Sequence, residues 1–153
     1  TTAMIYALIF GGLMFSFFIN LGGAPEMISN WIASIDARPI FILGLLIVIY
    51  LLLGSIMDSF GVMIITLPVV TPIILDLGYD MLLWGVLMLV VVEIGMITPP
   101  FGMNLFIIRS IDSSIRLGTV MKGVVPFIIA DFIKIVLIVA FPALSLWLPS
   151  TMN

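Results

Sequence analysis

Charged residues fall at wide intervals along this chain, and the apolar runs between them set its elements. Ala3 to Ile19 carries no charge. About 20 helical residues cross the ~30 Å hydrocarbon core of a bilayer, so the pattern predicts a transmembrane helix over 3–20, ended by Leu21-Gly22-Gly23-Ala24-Pro25. Between Glu26 and Arg38, the residues Met27, Trp31, Ile32 and Ile35 recur among polar ones. That spacing predicts a short amphipathic helix over 25–37, lying at the interface with Trp31 at headgroup depth. Residues 39–57 are free of charge, Asp58 interrupts, and 59–75 are free of charge again but hold Pro68 and Pro72. Asp76-Leu77-Gly78-Tyr79-Asp80 reads as a polar turn. Met81 to Ile97 is apolar except for Glu93 and halts at Thr98-Pro99-Pro100-Phe101-Gly102. Met103–Ile108 resumes the apolar character, so 81–109 reads as a discontinuous helix broken at 98–102. The stretch 109–122 is polar, with Arg109, Asp112, Arg116 and Lys122, and a last transmembrane helix is expected over 124–148, with Asp131 and Lys134 paired at i, i+3.

Composition makes the membrane reading firm. Hydrophobic residues are 63% and charged residues 8% of the 153, against roughly 45–50% and about 25% in soluble domains. Five basic and eight acidic side chains are too few for a soluble surface. The expected fold class is an all-α integral membrane protein, one membrane domain over 1–153. With no Cys and no His, thiolate and imidazole chemistry are excluded. The absence of a basic run removes nucleic-acid partners. Tyr79-Asp80 is a poor match to an intramembrane aspartyl protease, because no Gly-x-Gly-Asp accompanies it; the chain is not expected to be an enzyme. The opening Thr1-Thr2-Ala3-Met4 is no signal peptide, and the expectation is one piece of a longer membrane protein. Three of the five basic residues lie in 109–122, whereas 76–80 holds two Asp and no Lys or Arg. The positive-inside rule then places 109–122 in the cytoplasm and 76–80 outside.

The chemistry concentrates at two places. Pro99 and Pro100 have no N–H for the carbonyls of Gly95 and Met96, four residues back, and each proline disfavours helix in the residue before it. Irregular backbone at membrane depth persists only when buried in protein or lining a wet cavity. Freed carbonyls, the Thr98 hydroxyl and the Asn104 amide make a set of hard oxygen ligands suited to a small cation such as Na⁺. A bare proline kink is the plainer alternative. At the second place, Gly54-Ser55-Ile56-Met57-Asp58-Ser59-Phe60-Gly61 joins two charge-free arms. These arms either each span the membrane or form a re-entrant hairpin over 39–75 with its tip near 54–61. The small residues favour the hairpin, and Pro68 and Pro72 would make its return arm irregular. Glu93 is an intramembrane carboxylate, which fits a functional role and a buried packing role equally well. A discontinuous helix beside a re-entrant tip is the plan of one repeat of a secondary transporter, with an inverted copy expected elsewhere in the full chain.

Leu53-Gly54-Ser55-Ile56-Met57-Asp58, Pro68, Pro72, Gly85 and Glu93-Ile94-Gly95-Met96-Ile97-Thr98-Pro99-Pro100-Phe101-Gly102-Met103-Asn104-Leu105-Phe106 together resemble the large membrane (M) subunit of TRAP transporters, the tripartite ATP-independent periplasmic carriers. The resemblance runs from about residue 10 to 148 and places this chain in the C-terminal half. It implies a bacterial inner-membrane, multi-pass subunit that imports small organic acid anions, of C4-dicarboxylate or sialic-acid type. It implies Na⁺ coupling, an elevator motion, a small membrane subunit (Q) and a periplasmic substrate-binding protein as partners. On that footing the candidate Na⁺ ligands are Gly54, Ser55, Asp58, Gly95, Met96, Thr98 and Asn104, and the candidate substrate contacts are Pro100 and Gly102. A cation-coupled carrier of another inverted-repeat family, or a structural membrane subunit, remain the alternatives.

Overall fold

Helix starts and stops follow from single residues. The structure is a computed structural model that describes residues 2–34, 38–99, 101–111 and 115–151. Among these the fold is all-α: α1 (Thr2–Leu21), α2 (Ala24–Ser34), α3 (Pro39–Ile56), α4 (Ser59–Asp76), α5 (Met81–Ile97), α6 (Met103–Ile111), α7 (Leu117–Ala140) and α8 (Ala143–Ser150). α3 begins with Pro39 after an extended Arg38, where a missing N–H costs nothing and φ is already helical. Asp58 and Asp80 are N-caps. The Asp58 carboxylate accepts from the Gly61 N–H at 3.0 Å, and the Asp80 carboxylate from the Leu82 and Leu83 N–H groups at 2.7 and 3.2 Å. α4 closes on Gly78 at φ 75°. The Gly78 N–H donates to the Leu75 carbonyl and the Tyr79 N–H to the Ile74 carbonyl, the Schellman pattern that needs a residue without a Cβ.

Among the described residues, four helices are long and apolar enough to cross a membrane: Thr2–Leu21, Pro39–Ile56, Ser59–Asp76 and Leu117–Ala140. α3 and α5 form the centre. Tyr50 meets Trp84 edge to face, with centroids 5.2 Å apart at 88°, and Leu43, Leu46, Ile74, Leu87, Val91, Val92 and Ile94 fill the space around them. Tyr50 lies beside Trp84, while Gly54 lies beside Val92 and Gly95. The two helices therefore run parallel, with their C-terminal ends at one level. α4 returns antiparallel to α3, joined to it by Met57-Asp58 and held by the Tyr50–Thr66 hydroxyl pair. α1 packs on α4 at Gly12, its one buried residue, where Ile64 leaves no room for a Cβ. Phe10, Met14, Phe17 and Phe18 on α1 stay exposed. α2 is tied to the end of α4 by a hydrogen bond from Ser29 to Asp76.

Several elements differ from the sequence expectation. Pro68 and Pro72 do not make α4 irregular; the helix is continuous through both. Four residues apart, the two rings share one face, and they open on a groove of about 460 Å³ also lined by Ser16, Asn20, Glu26 and Thr71. α6 extends through Arg109 to Ile111, and α7 starts at Leu117 rather than at 124, so Lys122 rides on a helix and not in a loop. α7 also stops short of 148. Phe141 leaves helical geometry at φ −128°, ψ 75° ahead of Pro142, and α8 restarts at Ala143. α2 is described to Ser34; the rest of the expected 25–37 helix, like Asp112 of the polar stretch, lies outside the described residues.

Candidate functional site

Two glycines set the geometry of the candidate site. A Cβ on Gly54 would lie 2.6 Å from the Val92 carbonyl oxygen and 2.9 Å from the Val92 Cα. A Cβ on Gly95 would lie 2.6 Å from the Leu51 oxygen, 2.8 Å from the Gly54 carbonyl carbon and 2.9 Å from the Ser55 nitrogen. No side chain fits at either position, so the backbones of α3 and α5 touch. This contact brings the residue 57–58 turn level with the end of α5. Ser59 reinforces it: its hydroxyl donates to the Met96 sulfur at 3.4 Å.

On the turn side, Ser55 is buried, with its hydroxyl donating to the Leu52 carbonyl at 2.7 Å. The Ser55 oxygen keeps lone pairs for a second contact. Asp58 is half-buried and holds the first turn of α4. Gly61 belongs to this cap as well, since a Cβ there would meet Asp58 Oδ1 at 2.9 Å. The sequence pointed to Gly61 only as a small residue near the tip; its service to the Asp58 cap needed the fold.

On the α5 side, the helix ends at Ile97 and Thr98 is extended, at φ −84° and ψ 124°. The carbonyls left open differ in part from those expected from the prolines. Gly95 is not freed: its carbonyl accepts the Thr98 N–H at 3.1 Å. The Thr98 hydroxyl donates to the Ile94 carbonyl at 2.6 Å, and the Thr98 carbonyl accepts from the Gly102 N–H at 3.0 Å. The Met96 and Ile97 carbonyls have no main-chain donor among the described residues. Gly102 is buried, and a Cβ there would lie 3.0 Å from the Thr98 oxygen; this is the close approach that lets α6 restart. Asn104 sits half-buried on the first turn of α6, with no hydrogen bond from its amide among the described residues. Pro100, an expected substrate contact, lies outside the described residues.

The fold therefore sets Gly54 and Ser55 against Gly95, and Ser59 against Met96, with Asp58 and Thr98 next along the chain to these contacts and Asn104 on the adjoining helix. Their donor atoms are hydroxyl, carbonyl and carboxylate oxygens. No group of three His, Cys, Asp or Glu gathers anywhere among the described residues. Such an oxygen set, with a single carboxylate, suits a weakly held monovalent cation better than a divalent one, which takes several carboxylates. An apolar cavity of about 460 Å³ lies away from this junction, lined by α1, α2, α3 and α4 around Phe15, Trp31, Phe41, Leu45 and Ile49.

Comparison with known proteins identifies the family. The family described as "Tripartite ATP-independent periplasmic transporter, DctM component" matches residues 1–144. A C4-dicarboxylate TRAP transporter large permease protein of Vibrio cholerae is 32% identical over 97% of this chain, covering 33% of the relative. A protein of the same description from Pseudomonas aeruginosa is 28% identical, with 97% of this chain and 35% of the relative covered. A sialic acid TRAP transporter large permease protein of Vibrio cholerae is also 28% identical, over the same shares. The chain thus spans about a third of the length of these relatives. With its match running almost from end to end, this chain belongs to the DctM-component family of tripartite ATP-independent periplasmic transporters.

Proposed function

We propose that this chain forms the C-terminal repeat of a large permease that imports a small organic acid anion together with Na⁺. The observation that carries the reading is the backbone contact of Gly54 with Gly95, which sets a polar turn beside a broken helix end. Helix lengths support a junction inside the membrane. α5 with 17 residues and α6 with 9 measure about 26 and about 14 Å at 1.5 Å per residue, together more than the ~30 Å core. The break between them then falls within hydrocarbon, and the turn at its level does too. This favours 39–75 as a re-entrant hairpin whose arms pack inside protein.

Na⁺ is cargo here. The Met96 carbonyl, the Ser55 and Thr98 hydroxyl oxygens, Asp58 and Asn104 are the groups of this chain that would share it. A cation between turn and break ties the two irregular segments together and offsets the charge of the arriving anion. Its binding shifts the balance between conformations only by its unequal affinity for them. An ion bound across the junction favours the state in which both segments are ordered, and substrate then meets a formed site near Gly102. Carboxylate or sulfonate substrates in relatives, the small Q subunit, the periplasmic binding protein, inner-membrane location and an elevator motion belong to this same proposal. The names of the C4-dicarboxylate, sialic acid and isethionate relatives support an anionic cargo.

The test is Na⁺-dependent uptake by the full-length permease in proteoliposomes. Asp58→Ala, Thr98→Val and Asn104→Leu are expected to raise the Na⁺ concentration for half-maximal uptake by tenfold or more, and Thr98→Ser to stay near wild type. Unchanged Na⁺ dependence in all three would remove the assignment and favour a structural role.

A further inference from the structure

α5 carries a carboxyl group, that of Glu93, with no ion partner among the described residues. Leu83, Trp84, Leu87, Val91, Val92, Ile94 and Gly95 of α5 are buried against its neighbours. The opposite face is open: Leu82 is 45% and Leu89 48% exposed, Val86 is half-buried, and Glu93 is exposed. These positions follow the i, i+4, i+7, i+11 rhythm of one helix face. Glu93 lies about 18 Å from the start of α5, well inside a ~30 Å hydrocarbon core. It takes part in no ion pair among the described residues. Asp131 and Lys134, by contrast, meet each other at 2.7 Å.

We propose that this face of α5 is a docking surface for the remainder of the permease polypeptide, and that Glu93 anchors it by pairing with an Arg or Lys among apolar residues there. Three observations favour that occupant over lipid. An unpaired carboxylate against acyl chains is strongly disfavoured, and ionisable groups within membrane spans face protein or water and find a partner. The chain spans only about a third of its relatives' length, so most of the full-length polypeptide has yet to be packed. The sign of the charge and the leucines above it specify the contact: a cation framed by an apolar stripe. The pairing is independent of whether the 95–104 junction binds Na⁺, and it gives Glu93 a positioning role.

The test uses the full-length permease with any cysteines outside this chain replaced; this chain has none. A nitroxide is placed at Leu89→Cys, with a doxyl-labelled phospholipid in the same membrane as the lipid reference. Docking predicts low collision with both oxygen and a nickel chelate at 89, and high oxygen collision at the lipid label. Oxygen collision at 89 equal to that of the lipid label would show a lipid face, and high nickel collision a water-filled path; either overturns the proposal. The charge is tested separately by melting temperature. Glu93→Leu leaves the opposing cation buried and alone, so it is expected to lower the midpoint by several degrees, with Glu93→Asp closer to wild type. A midpoint that rises or holds in Glu93→Leu rules out the anchor.

Discussion

Glycine matters in this protein where a backbone needs the space. Gly54 and Gly95 each leave 2.6 Å between a hypothetical Cβ and a carbonyl oxygen of the facing helix, whereas Gly85, on the same helix as Gly95, has nothing within 4 Å. Overpacking a close contact costs on the order of 1–3 kcal/mol, and here the obstacle is main chain, which cannot rotate aside. Gly54→Ala and Gly95→Ala are therefore expected to cut uptake more than tenfold and to lower the melting midpoint of the full-length permease, while Gly85→Ala leaves both near wild type or slightly raised. Equal effects at all three positions in uptake and melting assays would show that close approach is not what matters. The sequence made Gly54 legible as a small residue at a turn. It could not name Val92 as the reason, because the partner lies far along the chain. Gly95 was legible for a different reason, as a carbonyl freed by Pro99, and the Thr98 N–H in fact satisfies that carbonyl.

At the scale of the element, the starts of α3, α4 and α5 rest on local chemistry: Pro39 after Arg38, Asp58 and Asp80 as caps. Proline was the less reliable guide. Pro68 and Pro72 read as an irregular return arm, yet α4 runs through them, since single missing hydrogen bonds inside a membrane helix are made good by neighbours. Where two prolines follow an extended Thr98, the helix does end. α7 starts at Leu117, ahead of Lys122, because a single exposed lysine near a helix end does not mark a loop. α7 also supplies a clean energetic test. Asp131 and Lys134 pair at 2.7 Å on one face, which reduces what either charge costs a membrane helix. Asp131→Leu alone strands an ammonium and is expected to lower the amount of folded permease recovered from membranes. The double replacement Asp131→Leu with Lys134→Leu is expected to restore it to wild type or above. If the double variant is recovered no better than the single one, the pair does more than neutralise itself.

For the whole molecule, the parallel run of α3 and α5 fixes what must share a side. Both helices start from polar residues, Arg38 and Asp80, and both end at the junction of turn and break. The C-terminus of α4 joins the first of these ends, where Asp76 holds Ser29 of α2. One end of the molecule thus gathers Glu26, Arg38, Asp76 and Asp80, while Arg109, Arg116 and Lys122 follow the break. Lys and Arg determine orientation, and Asp and Glu contribute little, so the basic set is expected on the cytoplasmic side, against a lone Arg38. The order of charges was legible in the sequence, and the fold adds that Arg38 and 76–80 share one end. The packing of α1 and α8 was not legible, since uniformly apolar helices carry no mark of what they face. Single cysteines at Leu77 and at Lys122 in the full-length permease are expected to react differently with a membrane-impermeant maleimide applied to intact cells. Leu77→Cys should label at once, and Lys122→Cys only after the membrane is opened. Were the pattern reversed, the turn between α4 and α5 would be cytoplasmic, and the 95–104 junction would stand nearer the outer face, with its cation drawn from the opposite side of the gradient.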